Sequence, residues 1–342
     1  NPLCVLFCLH INIKTKSPMI SYFAMYSSQP KCVNKTLKVV NVAIIGAPNS
    51  GKSTLINNIV ERKVCAASNK VHTTTKLNRA MCYQDDTQIV FLDTPGVATQ
   101  NEMKKYNLPE SMREAYYKSL RCANVVGVVH DISNRYTKDK LHSDVVHMLE
   151  TVRNIPSFLI LNKVDVLRNK KQLLMLIRSL TNGMIAGNPV PGKEKILNNG
   201  YSHFSDVFLV SALNGDGVSD IKEYLIKNAK PASCQYPLTQ WSDQSPREII
   251  EEAARAKFLD FLAQELPYNL KSQLEYFEES DEKVMCSVAV ECPSERIAKL
   301  IRGAGDGRLQ QIKTHIKLDL IEAFKKTVVL DLNLQVRNKA SN

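Results

Sequence analysis

The residues Val39-Val-Asn-Val-Ala-Ile-Ile-Gly-Ala-Pro-Asn-Ser-Gly-Lys-Ser-Thr54 decide how the chain folds. From Val39 to Ile45 they form a short, β-branched, nearly continuous apolar run that stops at Gly46, as a strand buried on both faces reads. Gly46 to Ser53 then matches GxxxxGK[ST], and helical periodicity takes over from Lys52 to Glu61. The match therefore lies between a buried strand and a helix, the setting in which such a loop cradles phosphates. Its glycines let the backbone curl until successive N–H groups point inward, and the helix N-terminus adds its dipole. In that setting Lys52 reaches the β- and γ-phosphates, and Ser53 offers its hydroxyl to magnesium. Gly46, Ala47, Pro48, Asn49, Ser50, Gly51, Lys52, Ser53 and Thr54 are the candidate phosphate-binding residues.

Outward from this loop, strand and helix alternate. Apolar runs return at 88–92, 125–129, 158–161 and 207–210, separated by helix-length stretches at 109–121, 138–152, 169–180 and 218–228. Such alternation implies crossover connections and a mostly parallel sheet covered on both faces, an α/β fold. Residues 181–205, rich in Gly, Pro and Asn, interrupt the rhythm and read as a surface loop. A boundary is expected at 230–245, where Pro231 and Pro237 stand among polar residues without periodicity. Beyond it come a helix over 246–266, with Ser245 as cap and Pro246 in the first turn, and strands over 273–278 and 284–291. A helix over 294–302, a Gly-rich loop at 303–307, a helix over 309–325 and a strand over 328–336 follow. The order α-β-β-α-α-β predicts a second, α+β domain.

Three more motifs follow the phosphate loop in order. Asp93-Thr94-Pro95-Gly96 comes directly after the run QIVFL, which places Asp93 at a strand's C-terminal end, where open α/β sheets bind ligands. There its carboxylate can hold a magnesium shell, and the Gly96 N–H can meet the γ-phosphate. Asn162-Lys163-Val164-Asp165 follows the run FLIL. A carboxylate such as Asp165 accepts from both N1–H and the 2-amino group of guanine, and adenine offers neither donor. Ser211-Ala212-Leu213 follows the next strand and can offer backbone N–H groups to the guanine O6. Between the phosphate loop and the first of these motifs lies Lys70-Val-His-Thr-Thr-Thr-Lys76, a candidate switch loop in which one threonine hydroxyl meets magnesium while the γ-phosphate is present.

These residues resemble the Era family of GTPases over roughly residues 38–336: the loop GAPNSGKST, DTPG, NKVD, the VHTT stretch and the helix REIIEEAARAKFLDFLAQELPY. Aligning on VHTT makes Thr74 the magnesium threonine, beside Ser53 and Asp93. The resemblance implies GTP and GDP as ligands with Mg2+, GTP hydrolysis with Lys52, Asn49 and Thr74 taking part, and a potassium ion positioned by Asn49. Val97 stands where many small GTPases carry a water-orienting Gln. The second domain is then a type II KH fold that binds small-subunit ribosomal RNA and assists assembly of the small ribosomal subunit. Its phosphate-clamping loop is Arg302-Gly303-Ala304-Gly305-Asp306-Gly307-Arg308. The family pattern has glycine where this chain has Asp306. Either the loop has shifted register to Gly303 and Gly307, or RNA contact is weakened. The alternative function is a nucleotide-gated protein-interaction switch with weak or absent RNA binding.

Composition bounds these expectations. The 342 residues suit about two domains: a leader at 1–37, the nucleotide domain at 38–230, a linker at 231–245 and the α+β domain at 246–342. Lys and Arg outnumber Asp and Glu by 45 to 34, which favours a polyanionic partner such as nucleic acid, or peripheral association with an anionic membrane surface. No apolar run approaches the ~18 residues of a membrane span. From Arg296 onward 10 Lys and Arg stand against 4 Asp and Glu, so the basic residues gather around the Gly-rich loop and the helix after it. The nine cysteines, without a CxxC pair, read as reduced thiols. Up to Lys38 the chain holds five lysines, no arginine and no acid, the pattern of an organellar transit segment, with an untargeted terminus as the other reading. With the resemblance, this leader implies a mitochondrial protein of the matrix, with inner-membrane association as a further expectation.

Overall fold

The computed structural model describes residues 37–68, 77–94, 117, 119–167, 171–192, 199–263 and 266–336. In chain order the first part runs β1 (Lys38–Ile45), α1 (Lys52–Val60), β2 (Asn78–Gln84), β3 (Thr87–Asp93), β4 (Val125–Asp131), α2 (Ser143–Thr151) and β5 (Ser157–Asn162). It continues through α3 (Lys171–Leu180), the two-residue strands β6 (Met184–Ile185) and β7 (Asn188–Pro189), β8 (Phe204–Val210), α4 (Val218–Asn228) and β9 (Lys230–Pro231). The second part holds α5 (Pro246–Phe261), β10 (Lys271–Glu279), β11 (Lys283–Cys292), α6 (Glu295–Arg302), α7 (Gly307–Phe324) and β12 (Thr327–Val336).

The large sheet has the order β2-β3-β1-β4-β5-β8. Its β3, β1, β4, β5 and β8 are parallel, and only β2 on β3 and β9 on β1 run antiparallel. The chain leaves β1 for one side of the sheet and crosses back past it to reach β4, so the loops after β1 and β3 open at the switch in strand order. The continuous apolar run of β1 is explained by two cores. Val40, Val42 and Ile44 pack with Leu55 and Ile56 of α1 and Ile221 and Leu225 of α4. Ala43 and Ile45 pack on the other face with Val145 and Leu149 of α2 and Leu176 and Leu180 of α3. A third core joins Ile249, Ala254 and Phe258 of α5, Val284 and Val288 of β11, Ile312, Ile316 and Leu320 of α7, and Val328 and Leu330 of β12. There β10 pairs antiparallel and β12 parallel with β11, and the elements follow the order α-β-β-α-α-β.

Several boundaries differ from the sequence expectations. The helix expected over 138–152 starts at Ser143, where the His142 side chain accepts from the Asp144 N–H. The one expected to reach residue 266 ends at Phe261, because Leu262 turns extended and buries its side chain. Its start is as expected, with Ser245 and Glu248 forming a capping box ahead of Pro246. Residues 181–205 are not simply loop: β6 and β7 form a small hairpin within them. Strand β2 was not expected at all, since the short apolar run at 80–83 within Asn78-Arg-Ala-Met-Cys-Tyr-Gln84 holds no β-branched residue. Of the helix expected over 109–121, the described residues 117 and 119–121 are helical, and the rest lies outside the described residues.

The linker is laid along the sheet rather than hanging between the two parts. The Ala232 N–H donates to Leu37 O, and the Met81 N–H donates to Trp241 O. The buried Gln88 spans it with both ends of its amide, donating to Tyr236 O and accepting from the Gln235 and Tyr236 N–H groups. Beyond the linker, the residues just after α1 meet α5 and α7. Arg62 donates to Ala323 O at 3.0 Å and lies 5.4 Å over the Trp241 ring. Asp319 takes Lys63 at 3.0 Å on one oxygen and Lys257 at 3.0 Å on the other. Ser68 donates to Asp260 at 2.8 Å. No helix among the described residues is long and apolar enough to cross a membrane. The described cysteines are free thiols.

Candidate functional site

The loop from Gly46 to Ser53 curls over the C-terminal end of β1 and delivers Gly51 to the start of α1 with φ 97° and ψ 21°. A side chain there is strained by the backbone and has no room, since a Cβ would lie 2.1 Å from Asn162 Nδ2. Lys52 is buried within the curl and donates to Gly46 O at 3.2 Å and Ala47 O at 3.0 Å. Burial lowers its pKa from 10.5 to about 8, and the nearby Asp93 carboxylate opposes that shift. The buried Ser50 Oγ has no hydrogen-bond partner among the described residues. A loop that sequesters an ammonium and an unsatisfied hydroxyl at a helix N-terminus fits a phosphate chain.

Asp93 ends β3 fully buried, and Ser53 Oγ donates to its Oδ2 at 3.2 Å. A hydroxyl and a carboxylate side by side are hard oxygen donors, the set that suits magnesium. The buried Cys65 thiol also hydrogen-bonds Asp93; burial first, then that carboxylate, pushes the thiol pKa well up. Asn57 holds this segment, its Oδ1 accepting from the Val64 and Cys65 N–H groups and its Nδ2 donating to Cys65 O. Thr94 Oγ1 donates to Ile44 O, tying the start of the DTPG motif to β1. Thr74, Pro95, Gly96 and Val97 lie outside the described residues.

On the base side one amide gathers the parts. Asn162 Nδ2 donates to Ser50 O at 2.8 Å, while its Oδ1 accepts from the Lys163 N–H at 2.8 Å and the Ala212 N–H at 2.9 Å. The phosphate loop, the NKVD turn and the Ser211–Leu213 segment are thereby brought together. Lys163, in a left-handed conformation at φ 66°, donates to Asn49 O at 3.1 Å and Asp131 Oδ2 at 2.6 Å. Asp165 lies exposed in the short 3-10 turn that follows, and Leu213 is 80% exposed beside the buried Ala212. Asp131 was not among the expected residues. Its signal was the polar residue ending the run VVGVVH at a strand's C-terminal edge.

In the second part, α6 starts at Ser294, whose side chain accepts from the Ile297 N–H. The Gly-rich loop leaves α6 at Gly303, and residues 304–308 are exposed. Asp306 is left-handed at φ 58° and ψ 12°, while Gly307 is already helical at φ −60° and ψ −37°. Positive φ runs through the loop at Gly303 (72°), Gly305 (55°) and Asp306, and Asp306 is the one non-glycine among the three. Arg302 pairs with Glu295 at 3.3 Å, and Arg308 donates to Leu300 O at 3.0 Å.

A mostly parallel sheet whose phosphate loop and base-side loop are fastened at one edge by a single asparagine is the build of a P-loop GTPase, here followed by an α+β module of the type II KH order. Residues 41–163 match the family described as 50S ribosome-binding GTPase. The mitochondrial GTPase Era of Danio rerio is 33% identical over 338 residues, covering 88% of this chain and 76% of that protein. GTPase Era of Afipia carboxidovorans is 32% identical over 300 residues, covering 87% and 88%. The chain belongs to the Era family of GTPases. Its fold is similar to that of Era in a crystal structure of the complex with MgGDPNP and nucleotides 1506-1542 of 16S ribosomal RNA, at TM-score 0.71 and 24% identity over 89% of this chain and 95% of that one.

Proposed function

We propose that this protein binds GTP between its phosphate loop and its NKVD turn, hydrolyses it to GDP, and uses the cycle to gate contact with small-subunit ribosomal RNA during assembly of the small ribosomal subunit. The observation that carries the nucleotide half is the fastening of Ser50, Lys163 and Ala212 to one Asn162 side chain. It ties the turn that carries Asp165 to the phosphate loop, which supports the reading of one nucleotide spanning both. Residues 46–54 cradle the phosphates, with Lys52 supplying charge. Asp93, Thr94, Pro95 and Gly96 meet the γ-phosphate side. Asn162, Lys163, Asp165, Ser211, Ala212 and Leu213 read the base. Ser53, Asp93 and Thr74 would hold magnesium, which offsets phosphate charge when bound. Asn49 would hold potassium.

The RNA half rests on the helix–loop–helix at α6 and α7, with residues 304–308 exposed between the two helices, and on the RNA that the similar Era structure contains. In this reading residues 1–37 are a leader, 38–230 the GTPase domain, 231–245 the linker and 246–342 the RNA-binding domain. The mitochondrial relatives and the acid-poor leader support the mitochondrial matrix as its place, with association at the inner membrane as a finer expectation. The exposed Asp306 favours one second reading, a nucleotide-gated protein-interaction switch with weak or absent RNA binding. Crosslinking RNA to the native protein and sequencing it separates the two. Recovery of small-subunit ribosomal RNA in a GTP-dependent manner supports the first reading, and absence of RNA overturns it.

A further inference from the structure

Asp131 ends β4 at the same sheet edge as the nucleotide site, yet it belongs to none of the four motifs. Its Oδ2 lies 2.6 Å from Lys163 Nζ, and that ammonium also reaches Asn49 O in the phosphate loop at 3.1 Å. The other oxygen, Oδ1, accepts from the Ser133 N–H at 2.8 Å and from Ser133 Oγ at 2.6 Å. The carboxylate is thus held by its own turn on one side and holds a lysine on the other. Side-chain exposure of 21% for Asp131 and 35% for Lys163 keeps solvent from fully screening the pair. Burial pushes the Asp131 pKa up, but the bonds from Lys163 and Ser133 outweigh it and leave the group below the ordinary carboxylate value. It stays ionised throughout the neutral range.

We propose that Asp131 is a positioning residue for guanine-nucleotide retention: it orients Lys163 so that the ammonium bridges the NKVD turn to the phosphate loop. The inference rests on the GTP reading of this site. Without the carboxylate, the Lys163 stem has several rotamers and no fixed anchor, and the bridge to Asn49 O is intermittent. The bridge closes the side of the nucleotide pocket between base and phosphates, so its loss acts mainly on release.

A purely structural role for Asp131 would be to stabilise the turn through Ser133, and Asp131→Asn separates the two roles. An asparagine keeps an oxygen for the Ser133 N–H but carries no charge for Lys163. Release of a fluorescent GDP analogue is followed by stopped flow in the unmodified protein, Asp131→Asn, Lys163→Met and the double variant. Loss of one charge-assisted hydrogen bond predicts release about tenfold faster in Asp131→Asn, with an unchanged melting temperature. The double variant is expected to match Lys163→Met, since the carboxylate then has nothing to orient. Unchanged release in Asp131→Asn overturns the inference, as does an equal acceleration in both backgrounds. The GTP reading has its own control: Asp165→Asn must shift preference from guanine to xanthine diphosphate, because the amide offers a donor to the xanthine carbonyl. If it does not, that reading falls and takes this inference with it; if it does, the Asp131 result stands alone.

Discussion

Replacing Asp319 with alanine is expected to loosen the contact between the segment after α1 and the C-terminal helices. Asp319 is 8% exposed and accepts Lys63 and Lys257 at 3.0 Å each, one on each oxygen. Removing it leaves two ammonium groups facing each other across a small vacated space. Breaking a buried ion pair costs about 3–5 kcal/mol. Lys63 keeps 28% of its side-chain surface in solvent and has Glu322 3.9 Å away, so part of that cost is recovered. A loss of about 2–3 kcal/mol follows for this contact. The protein carries its own reporter, because the only tryptophan, Trp241, lies there, edge-on to Phe324 at 6.0 Å and beneath Arg62. Urea titration followed by Trp241 emission should show a midpoint lower by about 1 M, taking a slope of about 2–3 kcal/mol/M. The double change Asp319→Leu with Lys257→Met, which removes charge from both sides, should recover most of the loss. A midpoint for Asp319→Ala within about 0.2 M of the unmodified protein would refute the assignment of the ion pairs as the fastening of this contact.

Gly51→Ala forces an L-residue to φ 97° and pushes its Cβ against the Asn162 amide, so strain and lost hydrogen bonds should lower the melting stability by about 3 kcal/mol and abolish GDP retention in a fluorescence assay. Lys52 sits near 8 in the fold against an ordinary 10.5, so between these values the unfolded chain holds more protons and stability rises with pH as the buried charge is shed. Phosphates favour the ammonium, so nucleotide binding should take up protons above about pH 8 and weaken as pH climbs; calorimetry in buffers of different ionisation enthalpy reads this, and equal heats in all buffers would count against it. Asp306→Gly removes a carboxylate from a left-handed position that glycine adopts without cost. It should tighten single-stranded RNA binding roughly two- to fivefold, the weight of one like-charge repulsion screened by water and salt. Changing Arg302 and Arg308 together to Ala should weaken RNA binding evenly across sequences and flatten its salt dependence, which filter binding across a salt series measures.

What the sequence made legible was whatever local pattern dictates. The run ending at Gly46 could only be a doubly buried strand, and the structure divides Val42 and Ile44 from Ala43 and Ile45 between two cores. Ser245 and Pro246 announced the start of α5 because a cap is a matter of neighbouring residues, and the structure adds Glu248, which closes the capping box. Long-range partners left no such mark. Gln88 looked like one polar residue opening an apolar run, and only the fold shows both ends of its amide holding the linker. Strand β2 escaped notice because it is an edge strand whose apolar run at 80–83 holds no β-branched residue, and it is supported by Trp241 and Ser242 from far along the chain. Asp131 and Asn162 stand 31 residues apart by number, and the parallel pairing that sets them side by side is a property of the sheet. The Gly-rich loop shows the converse: the residue types drew attention to position 306, and only the backbone shows that Asp306 itself takes the left-handed conformation, at φ 58°.

The Asn162 side chain has a consequence for how the site moves. Two backbone amides from different loops donate to one oxygen, and the nitrogen of the same group holds the phosphate loop. Local opening of any one of these loops releases a bond shared with the others, so the three fluctuate as a single cooperative unit. In hydrogen exchange the amides of Lys163 and Ala212 are expected to open together, and clearly separate rates for the two would count against this coupling. Loosening any one of the three loops therefore loosens the hold of the other two on a bound nucleotide, from the base side and the phosphate side together.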